Sequence, residues 1–471
     1  MHFEQFYDTD LAQGSYLIGC QAAGQAVVVD PRRDVDVYLS AAQAHGLTIT
    51  AVTDTHVHAD YVSGARELAA ATGAELWLSG EGGDEWRYRF EHRALGHGDV
   101  IKVGNVTLEA LHTPGHTPEH LSFLITDGAR SRHPSHLLSG DFVFVGDVGR
   151  PDLLDAVAGG LDTRFEGARR LFGSLRDRLL TLPDFVQVWP GHGAGSACGK
   201  ALGSVASSSV GFERLTAWWA PHVEASDVAA FEDELLTGQP EAPTYFGRMK
   251  RVNRDGPPIL GAREALRRFG GAELRGRVNR DVVLVDTRSV AEQLAGSVPG
   301  ALAIPGGASF ATYAAWALDP EVDERPLVLV AADAEQGARL RDRLSRVGID
   351  RVIGYLPSFE GLDLAPLAVA TPAEVAGLVG AEFLDVRGGA EYGAGHLPGA
   401  IHLAAGNALQ RAHELPRGGK LVVYCQSGGR SAVVAGVLRN RGFANVVDLV
   451  GGYEAWLAHE GGAPVEGVRR S

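Results

Sequence analysis

The sequence predicts a multidomain chain that combines α/β and α+β folds, and three observations lead to this prediction. The chain has 471 residues, a length that corresponds to roughly three domains at about 150 residues each. Short apolar runs typical of strands alternate with segments of helical periodicity. A segment of about 100 residues also occurs twice in the C-terminal half, which indicates tandem domains rather than a solenoid.

Composition and charge limit the kinds of partner that this chain can have. Hydrophobic residues make up 45% of the chain, enough for folded cores. The 58 acidic residues outnumber the 43 basic ones, which disfavours nucleic acid as the main partner. The sequence shows neither a long apolar span nor a signal-like start, and three cysteines are too few for a disulfide framework. We therefore expect a cytoplasmic protein that acts on small molecules and binds neither nucleic acid nor a membrane.

The first domain is expected to extend over residues 1–240. Short apolar runs predict strands at 26–30, 49–53, 106–111, 137–140 and 186–189. Helical spacing predicts helices at 63–72 and 165–182. Proline and charged residues then predict a linker or docking segment at 241–262, whose basic part, 248–254, is expected to be solvated.

The remaining chain contains an internal repeat. The segment starting at Val282 parallels the one starting at Glu382, and the pair Asp286 and Arg288 matches Asp385 and Arg387. Each copy contains a strand, a charged turn, a second strand and a helix, the alternation typical of parallel sheets. The sequence thus predicts two tandem domains with parallel sheets, at 263–367 and 368–471.

Histidines and aspartates that follow apolar runs indicate a metal site in the first domain. His56, His58 and Asp60 alternate directly after one such run, so their side chains can converge if the chain turns there. Three further candidates each follow another run near a glycine: His116, Asp141 and His192. Imidazoles and carboxylates at several strand ends are ligands typical of zinc or iron.

The order HxHxD, TPGHTPEH, GD and PGH resembles the metallo-β-lactamase family over roughly residues 1–240. This resemblance implies an αββα sandwich with a metal site at one edge of its sheets. Most hydrolytic members carry HxHxDH and bind two metals, but here Tyr61 stands in place of the last histidine. Because a phenol with a pKa of about 10 is a poor ligand at neutral pH, we expect the second metal position to be impaired.

This departure favours a branch of the family, the persulfide dioxygenases, whose members bind one Fe(II). By this resemblance, one Fe(II) per chain would be held by His56, His116 and Asp141. Other residues would orient the ligands and bound water: His58, Asp60, Tyr61 and His192. The loop GDVGRPDL also resembles this branch, in which its aspartate and arginine, here Asp147 and Arg150, brace the site.

Cys198, six residues after His192, has two possible interpretations. A free cysteine is usually a buried, small apolar residue. Alternatively, the flanking glycines and Lys200 could expose the thiol and lower its pKa. Similar multidomain sulfur-oxidising enzymes have a cysteine in this loop, so a catalytic role in handling persulfide sulfur is expected.

Cys425 is the candidate nucleophile of the last domain. It lies between a strand-like run and a helix that is expected to begin near Ala432. Backbone N–H groups at a helix start stabilise an anion, and Arg430 adds a positive charge, so a thiolate or a persulfide is favoured there. The residues expected to form the surrounding loop are Gln426, Ser427, Gly428, Gly429 and Ser431.

This loop resembles that of the rhodaneses, which are sulfurtransferases, and LDVR, GHLPGAIH and GGYEAW strengthen the resemblance over residues 372–470. Four residues separate Cys425 from Arg430, against five in dual-specificity phosphatases, and the tighter loop suits a sulfur atom. The neighbouring charged residues are expected to brace the fold through ion pairs: Asp385, Arg387 and Glu391. In the earlier copy Ala331 aligns with Cys425 and no arginine matches Arg430, so that copy is expected to be inactive.

Together these resemblances imply a persulfide dioxygenase–rhodanese fusion that acts in sulfide detoxification. Its small-molecule partners would be persulfides such as glutathione persulfide, O₂, sulfite and thiosulfate. The carrier thiol and the direction of the rhodanese reaction stay open. A homo-oligomer, either a dimer or a tetramer, is implied by resemblance only. The alternatives are a glyoxalase-II-like zinc thioester hydrolase and a non-enzymatic sulfur carrier or sensor.

Overall fold

The chain divides into two units that are described separately. The computed structural model describes residues 1–153, 163–200 and 202–459. The first unit contains residues 1–242 and 246–263, and the second contains residues 243–245 and those from 264 onward. The predicted end of the last domain, at 460–471, lies outside the described residues. Within the described ranges, no helix has both the length and the apolar character needed to cross a bilayer.

Two mixed β-sheets form the centre of the first unit. Their neighbour orders are β1-β2-β3-β4-β5-β6 and β12-β11-β10-β9-β8-β7. The strands are β1 (His2–Asp8), β2 (Gln13–Cys20), β3 (Gln25–Val29), β4 (Thr48–Thr53), β5 (Glu75–Ser79), β6 (Arg93–Leu95), β7 (Val100–Val103), β8 (Val106–His112), β9 (Leu121–Asp127), β10 (His136–Gly140), β11 (Gln187–Pro190) and β12 (Ser208–Ser209). β3 to β6 pair in parallel, as do β10 and β11, and the other neighbours are antiparallel.

Successive side chains of a strand point to opposite faces of its sheet, and both faces are apolar here, so helices cover the outer faces. On β2, Tyr16 and Ile18 join the core between the sheets, whereas Leu17 packs on the opposite face. Helices and a π-helical segment supply the outer layers and an extension of the chain: Asp36–Ala44, Ala65–Thr72, Thr163–Ser174, Leu175–Leu179 (π), Val210–Thr216, Ala220–Ala225, Val228–Leu236 and Phe246–Asp255. This arrangement confirms the αββα sandwich.

The second unit contains two parallel five-stranded sheets with the same strand order, β13-β17-β16-β14-β15 and β18-β22-β21-β19-β20. The strands are β13 (Arg267–Arg268), β14 (Val283–Asp286), β15 (Leu302–Ala303), β16 (Leu327–Val330), β17 (Val352–Leu356), β18 (Val369–Ala370), β19 (Glu382–Asp385), β20 (Ile401–His402), β21 (Leu421–Tyr424) and β22 (Val446–Leu449). Equal order in both sheets confirms the fold class and the internal repeat.

The two copies of the repeat also share equivalent side-chain hydrogen bonds. Arg288 donates to Asp286 and to the Gly296 carbonyl, and Arg387 donates to Asp385 and to the Gly395 carbonyl. The helices, with two 3₁₀ turns, are Gly271–Leu274, Val290–Ala295, Phe310–Ala317, Ala334–Arg346, Pro372–Ala376, Gly389–Ala394, Ala405–Asn407 (3₁₀), Ala408–Arg411, Ala412–Glu414 (3₁₀), Gly429–Asn440 and Gly452–His459. The ion pairs therefore brace the turn after β14 in the first copy and the turn after β19 in the second.

Candidate functional site

The structure brings His56, His116 and Asp141 together at the strand ends of the first unit. All three side chains are buried, and their ligand atoms lie within 4.8 Å of one another. Asp141 Oδ2 is 3.5 Å from His116 Nε2 and 3.9 Å from His56 Nε2. That oxygen has no hydrogen-bond partner among the described residues. A buried carboxylate oxygen facing two imidazole nitrogens fits a metal ion.

Hydrogen bonds fix which ring nitrogen each histidine presents. His116 Nδ1 lies 3.1 Å from the Arg150 carbonyl, which can only accept, so this nitrogen carries the proton. Thr55 Oγ1 donates to Asp30 and therefore accepts from His56 Nδ1 at 2.9 Å. Burial lowers the pKa of both histidines, so the rings are neutral. Both Nε2 atoms are consequently free to bind a metal.

Gly140 allows this close approach. It adopts a φ of 53°, and a Cβ atom there would lie 2.7 Å from both His120 Nε2 and Thr55 Oγ1. His120 accepts from the Asp141 backbone N–H at 3.1 Å and so positions the ligand loop. Only glycine satisfies both the conformation and the contact distance.

Asp30 connects the residues next to the ligands, and sequence reasoning assigned it no role. Its carboxylate accepts from the Thr55 backbone N–H at 2.6 Å and pairs with His58 Nε2 at 3.0 Å. Burial lowers the pKa of His58, but the charge and hydrogen bond of Asp30, together with the charges of Asp54 and Asp60, outweigh burial and raise this pKa to about 9. The only available signal was the aspartate that ends the run AVVVD.

Tyr61 lies close to the ligands but is committed elsewhere. It is buried and donates from its hydroxyl to the Asp30 carbonyl at 3.2 Å, and Gln13 donates to the same hydroxyl at 3.3 Å. Burial raises the pKa of Tyr61 well above its usual value, and neighbouring carboxylates add to this shift. The neutral phenol is therefore a poor metal ligand.

Asp60, His192 and Cys198 form a second buried cluster, with ligand atoms within 4.8 Å of one another. His192 Nδ1 lies 2.7 Å from Asp141 Oδ1, and His192 Nε2 lies 2.9 Å from Asp60 Oδ2. Burial would lower the pKa of His192, but the surrounding carboxylates raise it well above its usual value. His192 therefore bridges Asp60 and Asp141 through both ring nitrogens.

Cys198 agrees with the first of its two interpretations, the buried residue, and not with the exposed thiol of lowered pKa. It is buried, and this burial raises the pKa of its thiol to about 12. Lys200 does not act on it as expected, because its ammonium group donates to the carbonyls of Glu234 and Thr237. An assignment of Cys198 to persulfide chemistry stays a prediction.

The loop containing Asp147 and Arg150 contacts both the ligands and the Cys198 segment. The backbone carbonyl of Arg150 accepts a hydrogen bond from His116 Nδ1. The guanidinium of Arg150 donates to the Ala197 carbonyl at 3.1 Å. Asp147 accepts from the Lys200 backbone N–H at 3.1 Å and from Trp218 at 3.0 Å. These contacts place both residues where they can brace the site.

Residues 246–263 group with the first unit, although the sequence suggested a linker or docking segment there. Several residues of the basic part are buried, contrary to the expected solvation: Arg248, Lys250 and Asn253. Asn253 Nδ2 donates to the His58 and Tyr61 carbonyls at 2.7 and 2.6 Å. Its Oδ1 accepts from the Ser63 backbone N–H at 2.9 Å. This helix therefore holds the ligand loop.

We expect Asn253→Ala to destabilise the first unit by about 2–4 kcal/mol, because it leaves buried backbone groups without partners. Urea unfolding would measure this loss. Metal affinity should fall roughly tenfold or more, since the loop that holds His56 loses its support. The exposed Asn105→Ala is the matched control, and equal unfolding midpoints for the two variants would contradict the prediction.

Cys425 directly follows β21 and precedes the helix Gly429–Asn440 in the last copy. Its Sγ atom is buried and accepts from the Gly428 backbone N–H at 3.1 Å and from the Ser431 hydroxyl at 3.5 Å. Gly428 has a φ of 104°, a conformation that favours glycine. The loop thus directs hydrogen-bond donors at the sulfur atom, as a thiolate or persulfide requires.

The charged residues around this loop form two separate pairs. Arg387 pairs with Asp385 at 2.6 Å, which agrees with the expected bracing role, and it also donates to Gln426 at 3.2 Å. Glu391 instead accepts two hydrogen bonds of 2.8 Å from Arg430. Sequence reasoning missed this contact because the two residues lie in different motifs.

The middle copy cannot repeat this arrangement. Ala331 follows β16 where Cys425 follows β21, and it offers no nucleophile. Asp333 caps the next helix by accepting from the Gln336 backbone N–H at 2.7 Å. The Asp333 carboxylate therefore occupies the place at the N-terminus of this helix where an anion could otherwise bind. Both features agree with an inactive copy.

The burial of Asp448 on β22 predicts a pH-dependent stability of the last copy. Burial raises its pKa to about 7, against an opposing Ser431 hydrogen bond and Arg439 charge. A carboxyl whose folded pKa lies above its unfolded value of about 4 binds more protons when folded, so stability falls as pH rises through that window. We expect Asp448→Asn to raise the free energy of unfolding, and this increase should be about 2 kcal/mol larger at pH 8 than at pH 5.

Urea unfolding at the two pH values would measure this gain, with Asp363→Asn at an exposed carboxylate as control. A gain that is the same at both pH values would contradict the raised pKa of Asp448.

Comparison with known proteins assigns families to two parts of the chain. Residues 8–192 match the metallo-beta-lactamase superfamily, and residues 371–459 match the rhodanese-like domain. A hydroxyacylglutathione hydrolase from Rhodospirillum rubrum is 32% identical over 241 residues, covering 50% of this chain and 80% of that protein. The chain spans only 61% of the length of another matching hydroxyacylglutathione hydrolase.

The chain is also similar to solved structures. A metallo-beta-lactamase from Staphylococcus aureus subsp. aureus COL is 38% identical with a TM-score of 0.68, covering 76% of this chain and 99% of that chain. ETHE1 from Myxococcus xanthus is 29% identical with a TM-score of 0.44, covering 54% of this chain and 98% of that chain.

Proposed function

The chain belongs to the metallo-beta-lactamase superfamily, and from this membership we propose that it is a mononuclear iron(II) persulfide dioxygenase coupled to a rhodanese-type sulfurtransferase. The observation that carries the proposal is the buried Asp141 Oδ2, which has no hydrogen-bond partner among the described residues and faces the Nε2 atoms of His56 and His116. Two histidines and one carboxylate are a ligand set for non-haem iron(II), which when bound supplies dioxygen activation beside a sulfur anion.

The surroundings of the ligands support one metal rather than two. In hydrolytic relatives of this fold a histidine is expected where Tyr61 stands, and the Tyr61 hydroxyl is occupied by the Asp30 carbonyl. Both ring nitrogens of His192 are hydrogen-bonded to carboxylates. The chain's own residues thus keep three ligands oriented, and hydrogen bonds engage the Tyr61 hydroxyl and both ring nitrogens of His192.

The overall first reaction converts one persulfide, one O₂ and one water into a thiol, sulfite and two protons. The terminal sulfur of the persulfide is oxidised and O₂ is reduced, so no further oxidant is needed. The role of His56, His116 and Asp141 is to hold the metal, while Asp30 and Arg150 keep the imidazole rings in the ligating tautomer.

The second reaction takes place at Cys425. Its thiolate accepts the outer sulfur of a persulfide and releases the carrier thiol. Sulfite then forms a bond to that outer sulfur, the bond to Cys425 breaks, and thiosulfate leaves. The electron pair stays on Cys425 Sγ, where the Gly428 N–H and the Ser431 hydroxyl stabilise it. The reverse direction uses the same contacts, so concentrations set the direction.

Oxygen uptake and metal content test the first half of the proposal. The full chain, reconstituted with Fe(II), is assayed with glutathione persulfide in an oxygen electrode, and its metals are measured by elemental analysis. We expect one iron per chain and one O₂ consumed for each persulfide. Absence of oxygen uptake by the iron-loaded chain would contradict the dioxygenase assignment.

A zinc-dependent thioester hydrolase is the second candidate. The cluster of Asp60, His192 and Cys198 favours it, because these donors could hold a second metal beside Asp141. His58 Nδ1 is a further buried nitrogen without a partner among the described residues. The curated relatives that match are named hydroxyacylglutathione hydrolases. Two zinc ions per chain and hydrolysis of S-lactoylglutathione would favour this candidate over the dioxygenase.

A further inference from the structure

The inactive middle copy places one helix against the active copy. The helix Phe310–Ala317 packs against the helix Gly429–Asn440 and the turn Ala405–Asn407. Trp316 of the first helix packs on the apolar core of the active copy. A Cβ atom at Gly406 would lie only 3.2 Å from Trp316 Nε1, so the glycine allows this close contact. Trp316 thus anchors the helix beside the Cys425 loop.

Tyr313 lies on the anchored face of that helix. It precedes Trp316 by three residues, a spacing that puts both side chains on one face, and their ring centroids are 5.1 Å apart. The Tyr313 hydroxyl lies 3.7 Å from the position that a Cβ atom on Gly429 would occupy. Gly429 lies between Cys425 and Arg430, so this hydroxyl reaches the mouth of the loop.

The Tyr313 hydroxyl keeps its proton and lies close enough to Cys425 and Arg430 for their charges to affect its pKa. Burial raises the pKa of Tyr313, and the charge of Cys425 adds to this rise, whereas Ser309 and Arg430 act in the opposite direction. Tyr313 is therefore a neutral donor at physiological pH.

The positive charges near Cys425 are largely neutralised by partners. Both terminal nitrogens of Arg430 donate to Glu391 at 2.8 Å. Arg387 is paired with Asp385. A sulfur oxyanion that reacts at Cys425 must therefore find additional donors for its oxygens, since an anion without such partners loses stabilisation on leaving water.

We propose that Tyr313 is an oxyanion-binding residue of the Cys425 site, which donates a hydrogen bond to an oxygen of sulfite or thiosulfate. This inference rests on the sulfurtransferase half of the proposed function. The hydroxyl holds sulfite while its sulfur attacks the outer sulfur of the Cys425 persulfide. The persulfide bond breaks, the electron pair stays on Cys425, and thiosulfate is released. The middle copy, which has no nucleophile of its own, contributes a substrate contact to its neighbour.

Tyr313→Phe in the full chain tests this assignment, because it removes the hydroxyl and keeps the ring. Thiosulfate formation is measured against sulfite concentration with glutathione persulfide as donor. We expect the KM for sulfite to rise roughly tenfold with little change in kcat, the effect of losing one hydrogen bond to a charged ligand. The rate of Cys425 alkylation by iodoacetamide should stay unchanged. Tyr355→Phe, on β17 of the same copy, is the matched control.

Each other outcome overturns the inference. An unchanged KM for sulfite would show that Tyr313 does not contact the oxyanion. A changed alkylation rate would place its effect on the Cys425 thiolate rather than on the substrate, and an equal effect of Tyr355→Phe would make it unspecific. If the unaltered chain transfers no sulfur, the sulfurtransferase proposal fails as well, which distinguishes that failure from the failure of this inference alone.

Discussion

His116→Ala is expected to abolish iron binding and persulfide-dependent oxygen uptake. The substitution removes one of three ligands and also the hydrogen bond from His116 Nδ1 to the Arg150 carbonyl. Loss of an outer partner of a metal ligand already costs about 10–100-fold in affinity or activity, so loss of the ligand itself should exceed that range. Iron content by elemental analysis and oxygen consumption with glutathione persulfide would measure both effects.

Sulfur transfer separates this result from general misfolding. The variant should still form thiosulfate when sulfite and persulfide are both supplied, because Cys425 belongs to the second unit. His133→Ala, at an exposed histidine, is the control and should retain iron and oxygen uptake. Full oxygen uptake by His116→Ala would exclude the proposed ligand set. Loss of both activities would indicate unfolding, which circular dichroism would detect.

Cys425→Ser is expected to remove sulfur transfer and to leave oxygen uptake intact. Serine keeps the size of the side chain, but its hydroxyl can neither form a persulfide nor release sulfur as a thiolate does. Removal of an enzyme nucleophile can cost about 10⁶-fold in kcat, and we expect a loss of at least roughly 10³-fold here. Sulfite should then accumulate in place of thiosulfate, as chromatography of the products would show.

Cys20→Ser provides the matched control for this experiment. Cys20 is also a buried free cysteine, but it lies on β2 of the first unit. This variant should form thiosulfate like the unaltered chain. If Cys425→Ser yields the same ratio of sulfite to thiosulfate as the unaltered chain, the two-site scheme is wrong.

Much of the fold and part of the site were predictable because the relevant signals are local. Short apolar runs and helical spacing predicted the layered first domain, and the αββα sandwich implied by HxHxD, TPGHTPEH, GD and PGH is confirmed. The repeat of LVDTR and LDVR predicted two similar domains, and both sheets have the same strand order. Each predicted metal ligand follows a strand, and strand ends meet at one edge of the sandwich.

Residues that act through distant contacts had no comparable signal. Asn253 lies 195 residues from His58, yet its side chain holds the loop of His58 and Tyr61. Glu391 was expected to brace the fold, but it pairs with Arg430 of the Cys425 loop. The sequence left two interpretations of Cys198 open, and packing of its loop against Asp60 and His192 gives the buried one.

The sequence by itself determined the two fold families, the candidate ligands His56, His116 and Asp141, the candidate nucleophile Cys425 and its replacement by Ala331 in the earlier copy. Only the tertiary structure decided what surrounds them, such as Asp30 next to the ligands and Tyr313 next to the Cys425 loop. The physical reason is that motif spacing fixes geometry within a few residues of a strand end. Contacts between distant segments depend instead on how whole elements pack, which spacing does not encode.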